Sequence, residues 1–178
     1  MRIIAGRFRS RRLKSVPGLA VRPTPDRLRE SLFSVLSPRI EGAVFVDAYA
    51  GSGAVGLEAL SRGAKHVFLI ERSPEALAII RENLEALEAV QYVTVLRGRA
   101  AVLLRERTAD IVFLDPPYDK VSEYRESLEA LSGIGCPYAI AQHSSRLVLD
   151  ETYGDLRKTR ILRQGDNSLS FYRCSEGR

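Results

Sequence analysis

The chain has no tryptophan, one methionine, two histidines and two cysteines among its 178 residues. Two histidines and two widely separated cysteines, Cys136 and Cys174, supply neither a transition-metal site nor a disulfide framework. Long apolar runs are missing as well. Val67-Phe68-Leu69-Ile70 and Ile111-Val112-Phe113-Leu114 are far too short to cross a bilayer, so no membrane partner is expected. No secretory h-region is present, which makes the cytoplasm the expected location. No internal repeat or low-complexity tract occurs. What remains is an ordinary globular composition, 45% hydrophobic and 28% charged, at a length that suits one domain or one domain plus an arm.

The charge is unevenly spread. Residues 1–29 hold nine of the 27 Lys and Arg residues against a single acid, Asp26. The remaining chain carries 18 basic against 21 acidic side chains, so a basic N-terminal segment is attached to a mildly acidic body. A solvated face or an organellar transit peptide would also be rich in arginine. The segment nevertheless alternates and turns like folded chain, and dense positive clusters of this kind are the electrostatic footprint of phosphate binding. Nucleic acid is the expected partner.

The pattern along the chain predicts a β extension over residues 1–22, followed by one α/β domain over 23–178. Arg2-Ile3-Ile4-Ala5 and Arg11–Val16 read as extended pieces, broken at Gly6 and Pro17-Gly18. Arg22-Pro23-Thr24-Pro25 is a stiff connector, with Thr24 as N-cap and Pro25 as first residue of a helix whose apolar stripe is Leu28, Leu32, Phe33 and Leu36. Strands are predicted at Ala43–Asp47, His66–Glu71, Tyr92–Leu96, Ala109–Asp115 and Tyr138–His143. Helices are predicted at Ala54–Arg62, Pro74–Glu88 with Ser73 as N-cap, Ala101–Arg107 and Val121–Leu131. The strands are continuous apolar runs, as expected of a mostly parallel sheet with helices on both faces. A hairpin signal at Gln164-Gly165-Asp166-Asn167 places two antiparallel strands last. The expected architecture is a Rossmann-like, doubly wound α/β domain.

In such sheets ligands bind beyond the carboxyl ends of the strands. The first strand delivers Asp47-Ala48-Tyr49-Ala50-Gly51-Ser52-Gly53-Ala54-Val55-Gly56, a literal G-x-G-x-x-G, and Glu71 at the end of the second can take ribose hydroxyls. A dinucleotide would explain these features. Asp47, however, brings a carboxylate that would repel a pyrophosphate and suits a cationic or amino-bearing ligand such as S-adenosylmethionine. A loop-capping role is the plainer reading of Asp47. The fourth strand delivers Asp115-Pro116-Pro117-Tyr118. Two prolines stiffen the backbone and remove two donors. The loop thus offers a carboxylate, a fixed carbonyl and an aromatic face, which suit the two hydrogens and the ring of an exocyclic amine. The plainer alternative is a Pro-Pro turn with a surface tyrosine.

These motifs resemble the class I S-adenosylmethionine-dependent methyltransferases that modify exocyclic amines. More closely, the chain is similar to the bacterial 16S rRNA guanine-N2 methyltransferases of the RsmD family. The resemblance is carried by Arg2-Ile3-Ile4-Ala5-Gly6, Arg22 through Phe33, Asp47 through Ala59, Ser61 through Ala64, Asp115 through Tyr118 and Gly165 through Leu169. It implies methyl transfer from S-adenosylmethionine to N2 of one guanine, on the small ribosomal subunit or an assembly intermediate. By the same resemblance Asp47, Ala50, Gly51, Ser52 and Gly53 line the methionine and ribose part of the cofactor, Glu71 holds the ribose, and Arg72, Arg99 and Ala100 lie about the adenine. Asp115, Pro116, Pro117 and Tyr118 hold the target amine. Arg2, Arg7, Arg9, Arg11, Arg12, Lys14, Arg22, Arg27 and Arg29 contact RNA.

Two segments depart from the family pattern. Arg97-Gly98-Arg99-Ala100 puts an arginine where an acceptor for the adenine amine is usual, and arginine cannot accept. Ala141-Gln142-His143-Ser144 lacks a strand-ending glutamate. His143 and His66 are expected to be structural, and Glu75, Glu82, Glu85 and Glu88 to form a solvated helix face. Competing functions are an N6-adenine methyltransferase on DNA or RNA, an NAD-dependent oxidoreductase and a non-catalytic RNA-binding protein. A monomer is expected because no exposed apolar stripe stands out.

Overall fold

The computed structural model describes residues 1–17, 25–134 and 137–174. Eight strands form one sheet: β1 (Val44–Asp47), β2 (His66–Glu71), β3 (Val93–Arg97), β4 (Ile111–Leu114), β5 (Tyr138–Ser144), β6 (Thr152–Tyr153), β7 (Leu156–Gln164) and β8 (Asn167–Cys174). Their spatial order is β3-β2-β1-β4-β5-β8-β7-β6. The first five run parallel, and β8 is antiparallel to both β5 and β7. The order reverses between β1 and β4, where a doubly wound sheet opens its ligand crevice.

Helices cover both faces. α1 (Asp26–Ile40), α2 (Ala54–Ser61) and α3 (Pro74–Ala86) pack on one side, around Phe33, Phe45, Leu57, Ile80, Phe113 and Phe171. α4 (Ala100–Leu103) and α5 (Val121–Leu131) pack on the other, around Val46, Val112, Leu128, Tyr124 and Tyr172. Fully burying an aliphatic or aromatic side chain of this kind is worth about 1.5–3 kcal/mol, so β8, which buries Leu169, Phe171 and Tyr172, is central to the core.

Sequence and structure differ in small ways. α1 starts at Asp26 with Pro25 in the N-cap position, one residue later than predicted, because Pro25 is extended (ψ 141°); Thr24 lies outside the described residues. Ser73 does cap α3, accepting from the Ala76 N–H at 3.3 Å. The two-residue strand β6 is too short to leave a periodic signal. Cys174 is disulfide-bonded, and Cys136 lies outside the described residues.

The N-terminal segment doubles back on itself, with Ile3 N–H to Arg11 O (3.0 Å), Leu13 N–H to Met1 O (2.9 Å) and a bridge between Arg2 and Arg12. It is fixed to the domain by α2. The buried Glu58 carboxylate accepts from Ile4 N–H (2.8 Å), Ala5 N–H (3.0 Å) and Arg62 Nε (2.7 Å). Gly6, at φ +81°, lies so close to α2 that a Cβ there would fall 1.8 Å from Ser61 O. Among the described residues no helix is long and apolar enough to cross a membrane.

Candidate active-site cleft

A cleft of about 200 Å³ opens at the carboxyl ends of β1, β2 and β4. Of the residues singled out from the sequence, it is lined by Gly51, Glu71, Arg72, Arg99, Ala100, Asp115 and Pro117. Asp47, Ala50, Gly53 and Pro116 are buried, and Ser52 is half-buried. Gly51 (φ +55°) and Gly53 (φ +82°) adopt the left-handed backbone that turns β1 into α2, and Gly53 N–H closes on Ala50 O at 2.7 Å.

The loop is shaped by two carboxylates. Glu71 Oε2 accepts from Gly51 N–H (2.8 Å), and its Oε1 accepts from Arg72 N–H (2.7 Å) and Ser73 N–H (2.9 Å). Asp47 Oδ2 accepts from Gly56 N–H at 3.0 Å, in the first turn of α2. Asp47 thus caps the loop from within the fold. Burial pushes its carboxyl up to about 7, against the lowering effect of the Gly56 bond and with some help from the Glu71 charge.

At the other wall, Asp115 and the buried Pro116 follow β4, and Tyr118 stands 46% exposed at the rim. The Tyr118 hydroxyl donates to Asn167 Oδ1 at 2.7 Å, which ties the loop to the turn between β7 and β8. Arg72 pairs with Glu123 at 3.3 Å and Arg99 with Glu126 at 2.8 Å, so both arginines lean toward α5. His143 is structural: buried, with its ring nitrogens on Ser144 O (2.9 Å) and Ser170 Oγ (2.8 Å), and its pKa lowered chiefly by burial. His66 pairs with Thr94 Oγ1 at 2.9 Å across β2 and β3. Among the described residues no group of three or more His, Cys, Asp or Glu could hold a metal ion.

The basic residues sort into three groups. Arg2, Arg9, Arg12 and Arg27 are exposed and form no ion pair among the described residues. Arg7 stacks on Phe8 and Tyr92, Arg11 donates to Ala86 O and Lys14 pairs with Glu82, so these three already have intramolecular work. Arg29 is a correction to the sequence reading. Its side chain is completely buried, with Nη2 on Arg2 O (2.8 Å) and Asp26 Oδ1 (2.7 Å), so it secures the arm to α1 and does not face a solvent-borne phosphate. Arg22 lies outside the described residues.

Three polar residues, Tyr49, Gln142 and Asn83, were given no role from the sequence. Tyr49 lines the cleft and bonds Ser127 Oγ at 2.8 Å. Gln142, two residues before the end of β5, has its side-chain Oε1 buried and without a hydrogen-bond partner among the described residues. Asn83 of α3 is buried and bridges two segments, its Nδ2 donating to Ser52 O (3.0 Å) and Lys14 O (3.1 Å) while Oδ1 accepts from Lys14 N–H (2.8 Å). An asparagine on the stripe of Ala76, Ile80 and Leu84 was the available signal, since a polar side chain there must find partners inside.

A parallel sheet of order β3-β2-β1-β4-β5, extended by an antiparallel strand beside β5 and carrying a glycine loop after β1, is the Rossmann-like class I methyltransferase fold. The solved structure of yhhF from Escherichia coli superposes with a TM-score of 0.87 at 32% identity, covering 99% of each chain. That of a hypothetical protein from Thermus thermophilus, TTHA0928, gives 0.80 at 31% identity over 96% and 98% of the two chains. Residues 1–173 match the family Conserved hypothetical protein 95, the RsmD family, and the chain belongs to it. YlbH of Bacillus subtilis is 35% identical over 97% of this chain and 98% of its own. Ribosomal RNA small subunit methyltransferase D of Escherichia coli K12 is 42% identical over 119 residues, which span 66% of this chain and 60% of that one.

Proposed function

We propose that the chain transfers a methyl group from S-adenosylmethionine to the exocyclic N2 amine of a guanine in 16S rRNA, on the small ribosomal subunit or an assembly intermediate. The observation that carries this reading is one cleft bounded by the Gly51–Glu71 loop on one side and by Asp115 and Pro117 on the other, with Tyr118 at the rim. The name of the Escherichia coli relative, a small-subunit rRNA methyltransferase, supports the RNA substrate.

The residues fit this cofactor better than a dinucleotide. A pyrophosphate would need the N–H groups at the start of α2. Gly51 N–H is already bonded to Glu71 and Gly56 N–H to the buried Asp47, so two backbone donors are withdrawn from a phosphate. A carboxylate offers about four lone-pair sites; Glu71 uses three on backbone donors, which leaves one for a ribose hydroxyl. Ile70, Ala76 and Ala100 give an apolar slot for the adenine. With the Arg99 guanidinium drawn to Glu126, the adenine edge is read by backbone groups of Gly98 through Ala100.

S-adenosylmethionine supplies an electrophilic methyl on a sulfonium. The protein's part is positioning. The Asp115 carboxylate and the Pro116 carbonyl accept hydrogen bonds from the two amine hydrogens, which favours a pyramidal nitrogen with its lone pair directed at the methyl. The surplus proton left on the methylated nitrogen passes through the Asp115 carboxylate to water. Tyr118, oriented from Asn167, stacks against the base. In-line placement of this kind accounts for catalysis without a strong base.

Small subunits lacking the modification, naked 16S rRNA and duplex DNA, each incubated with labelled S-adenosylmethionine and digested to nucleosides, test the proposal. Labelled N2-methylguanosine from subunit or rRNA is expected. N6-methyladenine would keep the loop chemistry and overturn the base; no label, with S-adenosylhomocysteine bound, would leave an RNA-binding scaffold. Asp115→Ala should lower turnover at least about 100-fold while S-adenosylhomocysteine affinity, by calorimetry, stays nearly intact. Loss of cofactor affinity alone would refute this division of roles.

A further inference from the structure

The mildly acidic charge of residues 30–178 conceals one strand of opposite character. β7 carries Arg157, Lys158, Arg160 and Arg163 and no acid. Lys158 is committed, with Nζ on Leu149 O (2.7 Å) and Glu151 Oε1 (2.9 Å). The three arginines are exposed, and none forms an ion pair among the described residues. β6 pairs only with Leu156 and Arg157, so from Thr159 to Gln164 the outer edge of β7 meets no strand among the described residues. Backbone donors and arginine side chains are presented together along that edge.

The same strand forms one wall of a groove of about 560 Å³, whose other wall is α1. Arg27 projects from α1 and Arg160 from β7; Leu162 gives an apolar contact, and Glu30 is the single acid. The groove has a defined upper end. Ser31 Oγ meets Gln164 Oε1 at 3.4 Å, and three residues on, Asn167 holds Tyr118 at the rim of the cleft. A strand lying in the groove would therefore enter or leave directly at the loop that receives the base.

We propose that the α1–β7 groove and the open edge of β7 form a track for the sugar-phosphate backbone of the RNA strand flanking the target base, with Arg27, Arg157 and Arg160, which share the α1 side of the sheet, as its phosphate contacts. The inference rests on the RNA methyltransferase reading and adds to it a surface separate from the N-terminal arm. Charge on an edge strand also discourages edge-to-edge aggregation. That role would be served by charge of either sign and is indifferent to RNA, so the two are separable.

The test uses the full chain and labelled 16S rRNA in filter binding between 50 and 200 mM salt, beside methyl transfer to the same RNA. Arg27→Gln, Arg157→Gln and Arg160→Gln combined should flatten the dependence of log K on log salt by about 2, since each lost single-strand contact removes about 0.7. The Michaelis constant for RNA should rise about tenfold or more. Affinity for S-adenosylhomocysteine should stay that of the parent, which establishes that sheet and cleft are intact. The triple Arg→Lys variant should retain most RNA affinity. A parental salt slope in the Gln variant, or equal loss in the Lys variant, overturns the track. If the parent chain neither binds nor methylates RNA, the underlying reading fails, and the track with it.

Discussion

Asp47 and Asn167 show how single side chains hold the loops that bound the cleft. The Asp47 carboxyl is raised to about 7 from an ordinary value of 3.8, chiefly by burial. A raised carboxyl means that the folded state holds more protons than the unfolded one between about pH 4 and 7. The contribution of Asp47 to stability therefore falls as pH rises through that window. Asp47→Asn keeps an acceptor for Gly56 N–H and removes the titration. Its stability relative to the parent should improve from pH 4 to 7, with a ceiling of about 4 kcal/mol. Urea unfolding of both chains across this range checks it, and a pH-independent difference would contradict it. Asn167→Ala removes the partner of the Tyr118 hydroxyl. Turnover should drop about tenfold, and Asn167→Asp, which keeps an acceptor, should restore much of it.

At the scale of elements, the glycine turn works because α2 lies close against β2. A Cβ on Gly56 would come within 2.3 Å of Leu69 Cδ2 and 3.0 Å of Val67 Cγ1, both on buried strand residues. Gly56→Ala should destabilise the domain by about 1–3 kcal/mol, measured by the midpoint of chemical denaturation. These elements were largely legible in the sequence. The apolar runs of β1, β2 and β4 have no alternative in water, and the DPPY loop and the glycine turn announce themselves by residue type. The role of Asp47 was less legible, since a carboxylate at a strand end suits a ligand or a loop N–H equally well, and only the position of Gly56 N–H distinguishes them. Arg29 was misplaced because its charge was read as exposure, although helical spacing sets it on the apolar stripe, three, four and seven residues before Leu32, Phe33 and Leu36. The arm folding back over α1 buries it. β7 was hidden by averaging, its positive charge cancelled by acids on distant helices.

For the molecule as a whole, the arm, α3 and the glycine loop are joined through Asn83, and α2 grips the arm through Glu58. The exposed Arg9 and Arg12 and the committed Arg11 should consequently behave differently. Arg9→Gln with Arg12→Gln should reduce the salt slope of RNA binding by about 1.4 to 1.8 with little change in stability. Arg11→Gln, which loses the bond to Ala86 O, should act mainly on stability. Thermal unfolding and filter binding of the two variants distinguish these effects; an unchanged slope in the first would return the arm to a solvated face.

The anchored arm also has a kinetic meaning. A flexible basic tail can sweep through solvent and seize a partner at a distance before docking, which raises its encounter rate. Residues 1–13 cannot do this, because their backbone is bonded to α2 and to itself along its length. Any partner meets a fixed relief instead, and the arm loses little further conformational freedom on binding.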